Sequence, residues 1–426
     1  MHRRALLKGM IATPLAGTLG GCTGRRSRPG PGVVVVGGGV AGVTVARELK
    51  ALAPDLSVTL VEPNERYTMC PFSNLVVAGL RPLSAQQFDY QALTRLGITQ
   101  VRERAVAVDH DQRRVRLASG ASLPFERLVV TPGIDLAYDR LPGYSEAVSA
   151  ALPHAWQAGP QTLLLRDQLK ALRNGGVVAM AIPDNPYRCP PGPYERASLI
   201  AYYLKTHKPR SKLLLLDAKD RFSKQPLFTA AWEARFGSLV EWQGRSDGAA
   251  VVAVDASERT LITDFDRVQA DVINVIPPQR AGRIAQTADL ADRSGWCPID
   301  AGTFRSLRHP NCYVLGDAAI ANAMPKSAFA ANAQGKLAAT QLLADLTGGE
   351  AVDTKLLNTC YSLVEPDYGI SVAGVYEADG ARWREVEGAG GASPRDADIA
   401  HRQREAAYAH GWYQHLTDQL FGGVTT

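Results

Sequence analysis

Three glycines near the N-terminus have the spacing that binds the phosphates of a dinucleotide. Gly37, Gly39 and Gly42 form the pattern G-x-G-x-x-G directly after the apolar run 33–36. Gly37 permits a tight turn, Gly39 lets a pyrophosphate approach the backbone, and Gly42 lets the following helix pack closely on the strand. Glu62 ends a second apolar run about twenty residues later, where a carboxylate accepts hydrogen bonds from a ribose diol. These residues predict a dinucleotide site on a strand, turn and helix.

A cysteine occupies the place where a second unit of this kind would carry its own glycine-rich turn. Cys189 follows the apolar run 177–182, and the turn from 183 to 193 holds five prolines and a single glycine, Gly192. Proline donates no N–H to a phosphate and has a fixed φ, so a pyrophosphate is not expected to bind here. The replacement favours redox chemistry with sulfur at a flavin, and argues against a nicotinamide partner.

Two later segments favour FAD as the dinucleotide. The segment 127–133, which contains Thr131 and Gly133, resembles the strand and turn that close an FAD domain. The segment 311–317 resembles the late Gly-Asp strand of flavoproteins with two dinucleotide-binding domains, in which the aspartate binds the ribityl chain. Asp317 is that aspartate here. We therefore predict Thr131, Gly133 and Asp317 as cofactor-binding residues.

The chain has six cysteines and eight histidines, and their spacing excludes several metal sites. There is no C-x-x-C pair and no histidine at zinc-finger distance from a cysteine, so no metal site is expected. The haem-attachment motif C-x-x-C-H is also missing, so we expect no haem on this chain. Cys297 and Cys312 stand in apolar surroundings and are predicted to pack in the core.

The first 28 residues differ from the rest in composition. They contain six basic and no acidic residues, and outside them the two charge types nearly balance, so nucleic acid is not an expected partner. Arg3-Arg4 followed by an apolar stretch to Gly21 predicts a twin-arginine export signal and a periplasmic location. Leu19-Gly20-Gly21-Cys22 also resembles a lipobox, so lipid attachment at Cys22 and simple cleavage both stay open.

Three longer segments resemble the flavoprotein subunits of flavocytochrome c sulfide dehydrogenases. They are Tyr67-Thr68-Met69-Cys70-Pro71-Phe72-Ser73-Asn74, the ten residues from Cys189 to Ser198, and Leu357-Asn358-Thr359-Cys360-Tyr361-Ser362. The resemblance implies that Cys70 forms a thioether to the FAD 8α-methyl group. It also implies that Cys189 and Cys360 form a redox disulfide, with Cys360 on the flavin side. The residues alone do not assign which cysteine is attacked.

A disulfide beside a flavin is an electrophile for hydrosulfide. Attack leaves a persulfide on one sulfur and releases the other as a thiolate, which can reduce the flavin. Glu195 is predicted either as the general base or as a helix N-terminal acid stabilised by the helix dipole. Lys326 is predicted to stabilise negative charge on the reduced flavin, or to be a solvated surface charge.

The predicted fold is α/β, with two Rossmann-like dinucleotide-binding domains arranged as in glutathione reductase and a C-terminal α+β domain. The predicted parts are the signal and linker (1–28), the FAD domain (29–141 and 279–347), the second Rossmann-like domain (142–278) and the C-terminal domain (348–426).

Three functions fit these features. The first is an exported FAD-dependent oxidoreductase that oxidises sulfide, a small inorganic sulfur substrate, and reduces a c-type cytochrome, bound as a subunit or soluble. The second is a sulfide:quinone reductase at the membrane surface. The third is a non-catalytic electron-relay flavoprotein, against which the presence of both Cys189 and Cys360 argues.

Overall fold

The computed structural model describes residues 32–380 and 382–422. The predicted export signal and Cys22 lie outside these residues. The described helices are Val40–Leu52 (α1), Ser73–Val77 (α2), Gln91–Arg95 (α3), Glu146–Ser149 (α4), Pro160–Ala171 (α5), Gly192–His207 (α6), Gln225–Phe236 (α7), Arg283–Thr287 (α8), Ala328–Thr347 (α9) and Ile399–Phe421 (α10). None of these described helices has both the length and the apolar character needed to cross a membrane.

The strands are short in the first two thirds of the chain and long near its C-terminal end. They are Val33–Val36 (β1), Val58–Val61 (β2), Arg66–Thr68 (β3), Gln87–Asp89 (β4), Thr99–Val101 (β5), Ala105–Asp109 (β6), Arg114–Leu117 (β7), Ser122–Pro124 (β8), Arg127–Val130 (β9), Ile134–Leu136 (β10), Val177–Ile182 (β11), Lys212–Asp217 (β12), Val240–Gln243 (β13), Val251–Asp255 (β14), Thr260–Thr263 (β15), Arg267–Gln269 (β16), Val272–Val275 (β17), Gln279–Ala281 (β18), Cys312–Val314 (β19), Lys355–Glu365 (β20), Tyr368–Asp379 (β21), Arg382–Glu385 (β22) and Gly391–Ala392 (β23).

The first sheet is parallel and has the order β19-β9-β1-β2-β5. The valines of β1 are at most 5% exposed, as expected for a central strand covered on both faces. Strands β9 and β19 are neighbours in this sheet, but the second domain lies between them in the sequence. The glycine-rich turn lies between β1 and α1, at the carboxyl edge of this sheet, where α/β proteins bind their ligands.

The second domain repeats this plan with the parallel order β13-β12-β11-β17. Each Rossmann-like domain also carries a three-stranded antiparallel unit, β6-β7-β8 in the first and β14-β15-β16 in the second. This architecture confirms the predicted fold class. Cys189 lies between β11 and α6, at the carboxyl edge of the second sheet.

The C-terminal part is an antiparallel sheet in the order β20-β21-β22, with β23 pairing with β21 and α10 packed on it. Strands β20 and β21 pair over almost their whole length, with Cys360 opposite Val372. Strand β20 also packs against α6 and α9. These contacts bring the middle of β20, and with it Cys360, to the carboxyl edges of the other two domains.

Candidate functional site

One cavity of about 1090 Å³ extends from the glycine-rich turn to the two cysteines of the predicted redox pair. Its wall is built from the first domain, the β11–α6 turn, strand β20 and helix α10. Ten of the twelve predicted site residues line it: Gly37, Gly39, Glu62, Cys70, Thr131, Gly133, Cys189, Glu195, Asp317 and Cys360. The other two, Gly42 and Lys326, lie behind the wall.

The three glycines have different roles in the turn. A Cβ on Gly42 would lie 1.9 Å from the carbonyl oxygen of Gly37, so only glycine allows α1 to pack this closely on the turn. Gly37 has a φ of +105°, and a Cβ there would lie 2.4 Å from the carbonyl oxygen of Thr131. A Cβ on Gly39 would meet nothing closer than Tyr67 at 3.7 Å, so this glycine faces the open cavity. That is the position at which a phosphate would approach the backbone.

Glu62 is joined to the turn by hydrogen bonds. Its carboxylate accepts from the backbone N–H of Gly38 at 2.8 Å and from that of Asn64 at 2.9 Å. Thr131, at the end of β9, donates its hydroxyl proton to the carbonyl of Val36 or of Gly37. These contacts place a carboxylate and a rigid turn at one end of the cavity.

The loop that carries Cys70 is held from both sides. Gln86, which is fully buried, donates to the carbonyls of Met69 at 3.0 Å and Pro71 at 2.6 Å. Its own side-chain oxygen accepts a hydrogen bond from the Tyr413 hydroxyl at 2.7 Å. Helix α10 therefore fixes the backbone on both sides of Cys70, whose side chain lines the cavity.

Asp317 lies in the middle of the cavity wall. Burial raises the pKa of its carboxyl group, and the nearby charges of Arg188 and Lys326 oppose that rise. Among the described residues no donor is hydrogen-bonded to this carboxylate. A polar ligand with hydroxyl groups would provide the missing donors.

Lys326 is bound by backbone carbonyls behind Asp317, and its role toward a reduced flavin stays a prediction. Its ammonium group donates to the carbonyls of Asp317 and Ala319, at 2.7 and 2.8 Å, and lies 3.9 Å from the centre of the Trp296 ring. Burial lowers its pKa to about 8. The side chain is therefore bound behind the cavity wall and is only partly exposed.

Cys189 sits in a strained turn at the base of α6. Its φ of +59° is unusual for a residue with a side chain. The turn is held by a hydrogen bond of 2.7 Å from the Cys189 N–H to the carbonyl of Lys326. A Cβ on Gly192 would lie 3.0 Å from the Cys189 sulfur and 2.9 Å from the Trp156 ring, so the single glycine of the turn leaves room for the sulfur.

Glu195 links the segments of the two cysteines. One carboxylate oxygen accepts from the Asn74 amide at 2.8 Å, and the other accepts from the backbone N–H of Leu363 at 3.0 Å. Burial raises the pKa of Glu195, and these two hydrogen bonds only partly oppose it. Glu195 is thus in the first turn of α6 and also in the cavity wall, and its role as a general base stays a prediction.

Cys360 also lines the cavity, with a buried cation beside it. The ammonium group of Lys224 donates to the carbonyl of Cys360 at 2.8 Å and to the Ser362 hydroxyl at 2.7 Å. No disulfide joins any of the five cysteines among the described residues. The disulfide between Cys189 and Cys360 stays a prediction. Cys297 and Cys312 are fully buried and do not line the cavity.

The cavity fits FAD. Its volume is that of a site for a large organic cofactor. The N-cap of helix α1 is Gly39, which supplies no side-chain hydrogen bond, and the first turn of the helix has no acidic residue. The N-terminus of α1 therefore suits a phosphate. Gly37, Gly39 and Glu62 would hold the adenosine diphosphate end. Asp317 and Cys70 would contact the flavin part.

Several residues of the site were not identified from the sequence. Arg188 and Trp412 line the cavity, whereas Lys224 and Asn358 contact Cys360 from behind the wall. Asn358 lies in one of the segments that resemble the family, but an asparagine in a strand and a lysine in a polar turn carry no signal of their own. Only the packing of β20 against the other two domains shows what they contact.

Family profiles match three consecutive parts of the chain. Residues 31–161 match the profile described as pyridine nucleotide-disulphide oxidoreductase. Residues 162–277 match "Sulfide dehydrogenase [flavocytochrome c] flavoprotein chain, central". Residues 352–421 match "Flavocytochrome c sulphide dehydrogenase, flavin-binding". Cys189 falls in the second of these regions and Cys360 in the third.

Individual proteins are similar to the chain as well. The flavoprotein chain of sulfide dehydrogenase [flavocytochrome c] from Chlorobaculum thiosulfatiphilum is 57% identical over 44 residues, which are 10% of this chain and 92% of that sequence. The mitochondrial sulfide:quinone oxidoreductase of Mus musculus is 23% identical over 307 residues. That match covers 67% of this chain and 65% of the mouse protein, slightly less than two thirds of its length.

A solved structure shares the fold over nearly the whole chain. The sulfide:quinone oxidoreductase from Aquifex aeolicus superposes with a TM-score of 0.72, covers 93% of both chains and is 18% identical. That likeness shows the fold, whereas the profiles matched by residues 162–277 and 352–421 and the Chlorobaculum sequence show that the chain belongs to the family of flavocytochrome c sulfide dehydrogenase flavoprotein chains.

Proposed function

We propose that this protein is an exported FAD-dependent sulfide dehydrogenase that passes electrons to a c-type cytochrome. The observation that carries the proposal is that Cys189 and Cys360 line the same cavity, which also contains the glycine-rich turn. These cysteines are far apart in sequence and come from different domains. Glu195 is hydrogen-bonded to a residue of β20 and lies in the first turn of α6, so it connects their two segments.

The sulfur chemistry needs an oxidised pair. Hydrosulfide attacks one sulfur of a Cys189–Cys360 disulfide, forms a new S–S bond to it, and displaces the other cysteine as a thiolate. Glu195 is placed to take the proton of the incoming sulfur species. FAD, when bound, takes up two electrons and releases them one at a time to a haem protein. The positive charges of Arg188 and Lys224 act to lower the pKa of the Cys189 thiol, which favours anionic sulfur in the cavity.

A nicotinamide dinucleotide is not expected to serve as the acceptor. The place at the end of β12 where its ribose would bind holds Asp217, which is fully buried. Its carboxylate accepts from the Tyr194 hydroxyl at 2.6 Å and the Trp242 indole N–H at 3.1 Å, and pairs with Lys219 at 2.5 Å. Tyr194 in turn stacks on Phe222 with ring centres 3.7 Å apart. Side chains thus occupy the second dinucleotide site.

An acceptor assay tests the proposal. With sulfide as donor, we expect the holoprotein to reduce mitochondrial-type cytochrome c much faster than a water-soluble ubiquinone analogue. The family names of the profiles matched by residues 162–277 and 352–421 support the cytochrome. Faster reduction of the quinone would instead support the second function, which the mouse and Aquifex proteins carry in their names.

Export is the second part of the proposal, and it depends on residues 1–28. We propose that Arg3-Arg4 directs the folded chain to the periplasm, where c-type cytochromes are matured. Replacing both arginines by lysine should keep the protein in the cytoplasmic fraction of a bacterial host. Equal periplasmic recovery of both variants would contradict this. The mass of the mature N-terminus would decide between cleavage and lipid attachment at Cys22.

Cys70 is expected to bind FAD covalently. Precipitation with acid should leave yellow colour on the native polypeptide, because a thioether survives denaturation. In Cys70→Ser the flavin should appear entirely in the supernatant, although the folded variant still binds it. Release of all flavin from the native chain would show that the linkage is wrong, while non-covalent FAD would remain.

Glu195 is expected to give the reaction a pH dependence. Because its pKa is raised, its carboxylate is lost at a higher pH than that of an ordinary glutamate, and the rate should fall as the pH decreases through that value. Glu195→Gln should lower kcat/KM by about 10²–10⁴-fold. The variant should keep only the pH dependence that comes from protonation of hydrosulfide itself. An unchanged rate and pH profile would leave Glu195 with a structural role alone.

A further inference from the structure

We propose that Asn358, held in one orientation by Ser327, stabilises Cys360 as a thiolate and thereby makes Cys189 the sulfur that hydrosulfide attacks. This inference rests on the proposed redox pair. It adds a residue that contacts the reacting sulfur, and it assigns a direction to the reaction.

The hydrogen bonds around Ser327 fix the orientation of the Asn358 amide. Ser327 is the N-cap of α9, and its hydroxyl oxygen accepts from the backbone N–H of Ala330 at 3.0 Å. Its proton is therefore directed to the side-chain oxygen of Asn358, at 2.5 Å. Because that oxygen accepts, the amide N–H₂ of Asn358 must lie on the other side, where the Cys360 sulfur is 3.3 Å away.

This arrangement supplies a hydrogen-bond donor to the Cys360 sulfur. Water has little access to the pair formed by Ser327 and Asn358. Asn358 is 2% exposed and Ser327 is 8% exposed. A hydrogen bond to a charged acceptor is stronger than one to a neutral acceptor, so the amide favours the thiolate form of Cys360 over the thiol. Rotation of the amide would place its N–H₂ against the Ser327 hydroxyl and its oxygen against the sulfur, which would weaken both contacts.

Lys224 adds a positive charge on the same side. Its ammonium group binds the carbonyl of Cys360 and the hydroxyl of Ser362, and it forms no ion pair among the described residues. Burial lowers the pKa of Lys224 to about 8, although the acidic groups Cys360 and Glu195 partly oppose this decrease. A negative charge on Cys360 would thus stabilise the ammonium form of Lys224, and the ammonium form would stabilise the thiolate.

Cys189 has a different environment. Burial raises the pKa of its thiol, and the negative charges of Cys360 and Glu195 raise it further. Its sulfur faces the space left by Gly192, and among the described residues no amide N–H is bonded to it. Cys189 is therefore the poorer leaving group of the two.

The resulting step is balanced without a further oxidant. The sulfur of hydrosulfide forms a bond to the Cys189 sulfur as the Cys189–Cys360 bond breaks. The electron pair of the broken bond leaves on Cys360, which becomes a thiolate. The proton of the new persulfide passes to the carboxylate of Glu195.

Cysteine reactivity tests the role of Asn358. In the reduced holoprotein at neutral pH, we expect iodoacetamide to alkylate Cys360 faster than Cys189, as followed by peptide mass spectrometry. Asn358→Asp has the same shape but turns an oxygen toward the sulfur. It should slow the alkylation of Cys360 by about tenfold or more. Ser327→Ala should have a smaller effect in the same direction, and Ser327→Thr should keep the native rate. An unchanged Cys360 rate in both Asn358→Asp and Ser327→Ala would overturn the role of Asn358.

The position of the transferred sulfur tests the direction of attack. Oxidised holoprotein is treated with one equivalent of sulfide without oxygen, and persulfides are trapped by alkylation. We expect the additional sulfur on the Cys189 peptide, and its recovery on the Cys360 peptide would overturn the assignment. If the oxidised protein contained no Cys189–Cys360 disulfide, the proposed function would fail as well. The alkylation rates would still report on Asn358 in that case.

Discussion

Replacing either Cys189 or Cys360 with serine is expected to lower sulfide-dependent cytochrome c reduction by on the order of 10³-fold or more. Each sulfur is a reacting atom, and serine can form neither the disulfide nor the persulfide. The loss should be the same for both single variants and for the double variant, because the two sulfurs act as one unit. The bound flavin should remain, since Gly37, Glu62 and Asp317 are unaffected.

The two buried cysteines outside the cavity supply the matched control. Cys312→Ala and Cys297→Ala each remove a thiol that is fully buried and does not line the cavity, so sulfide oxidation should stay close to the native rate. Substantial activity in Cys189→Ser or Cys360→Ser would rule out the redox pair. Equal loss in the control variants would indicate that any change to a thiol disturbs the fold.

Replacing Asp217 with alanine is expected to lower the free energy of unfolding by about 3–5 kcal/mol. Asp217 is the only acid paired with Lys219 among the described residues, and both side chains are buried. Without it the Lys219 ammonium, the Tyr194 hydroxyl and the Trp242 indole N–H lose their shared acceptor. Urea unfolding followed by tryptophan fluorescence would measure the change, because Trp232 and Trp242 lie in this domain.

A double variant separates the buried charge from lost packing. Asp217→Leu combined with Lys219→Met removes both charges and keeps apolar volume, so it should lose less stability than Asp217→Ala alone. Neither variant should be reduced by NADH, since Tyr194 and Phe222 still fill the site. If Asp217→Ala unfolded at the same urea concentration as the native protein, the Asp217 contacts would contribute little to the stability of the domain.

The dinucleotide turn could be predicted because its requirements are local. Gly37, Gly39 and Gly42 are needed by a turn of a few residues, and Glu62 follows at a fixed distance along the same strand–helix–strand unit. The steric distances around Gly37 and Gly42 agree with the roles that the spacing indicates. The valines of β1 and the apolar run of β11 likewise predict buried parallel strands.

The environment of the cysteines could be predicted only in part, because it depends on contacts between domains. Nothing local to Lys224 indicates that β20 will pack over it and supply two acceptors for its ammonium group. The environment of Lys326 is equally hard to predict, since the carbonyls of Asp317 and Ala319 bind its ammonium group behind the cavity wall. The orientation of the Asn358 amide depends on Ser327 at the N-terminus of α9, which is far away in the sequence.

An anaerobic titration of the holoprotein, with the flavin absorbance as readout, tests the central claim most directly. We expect sulfide to bleach the flavin at about one equivalent per chain, and NADH and NADPH to leave the spectrum unchanged. Addition of oxidised cytochrome c should then restore the flavin absorbance. Rapid bleaching by either nicotinamide, with no response to sulfide, would contradict the account and place the chain with nicotinamide-dependent disulfide reductases.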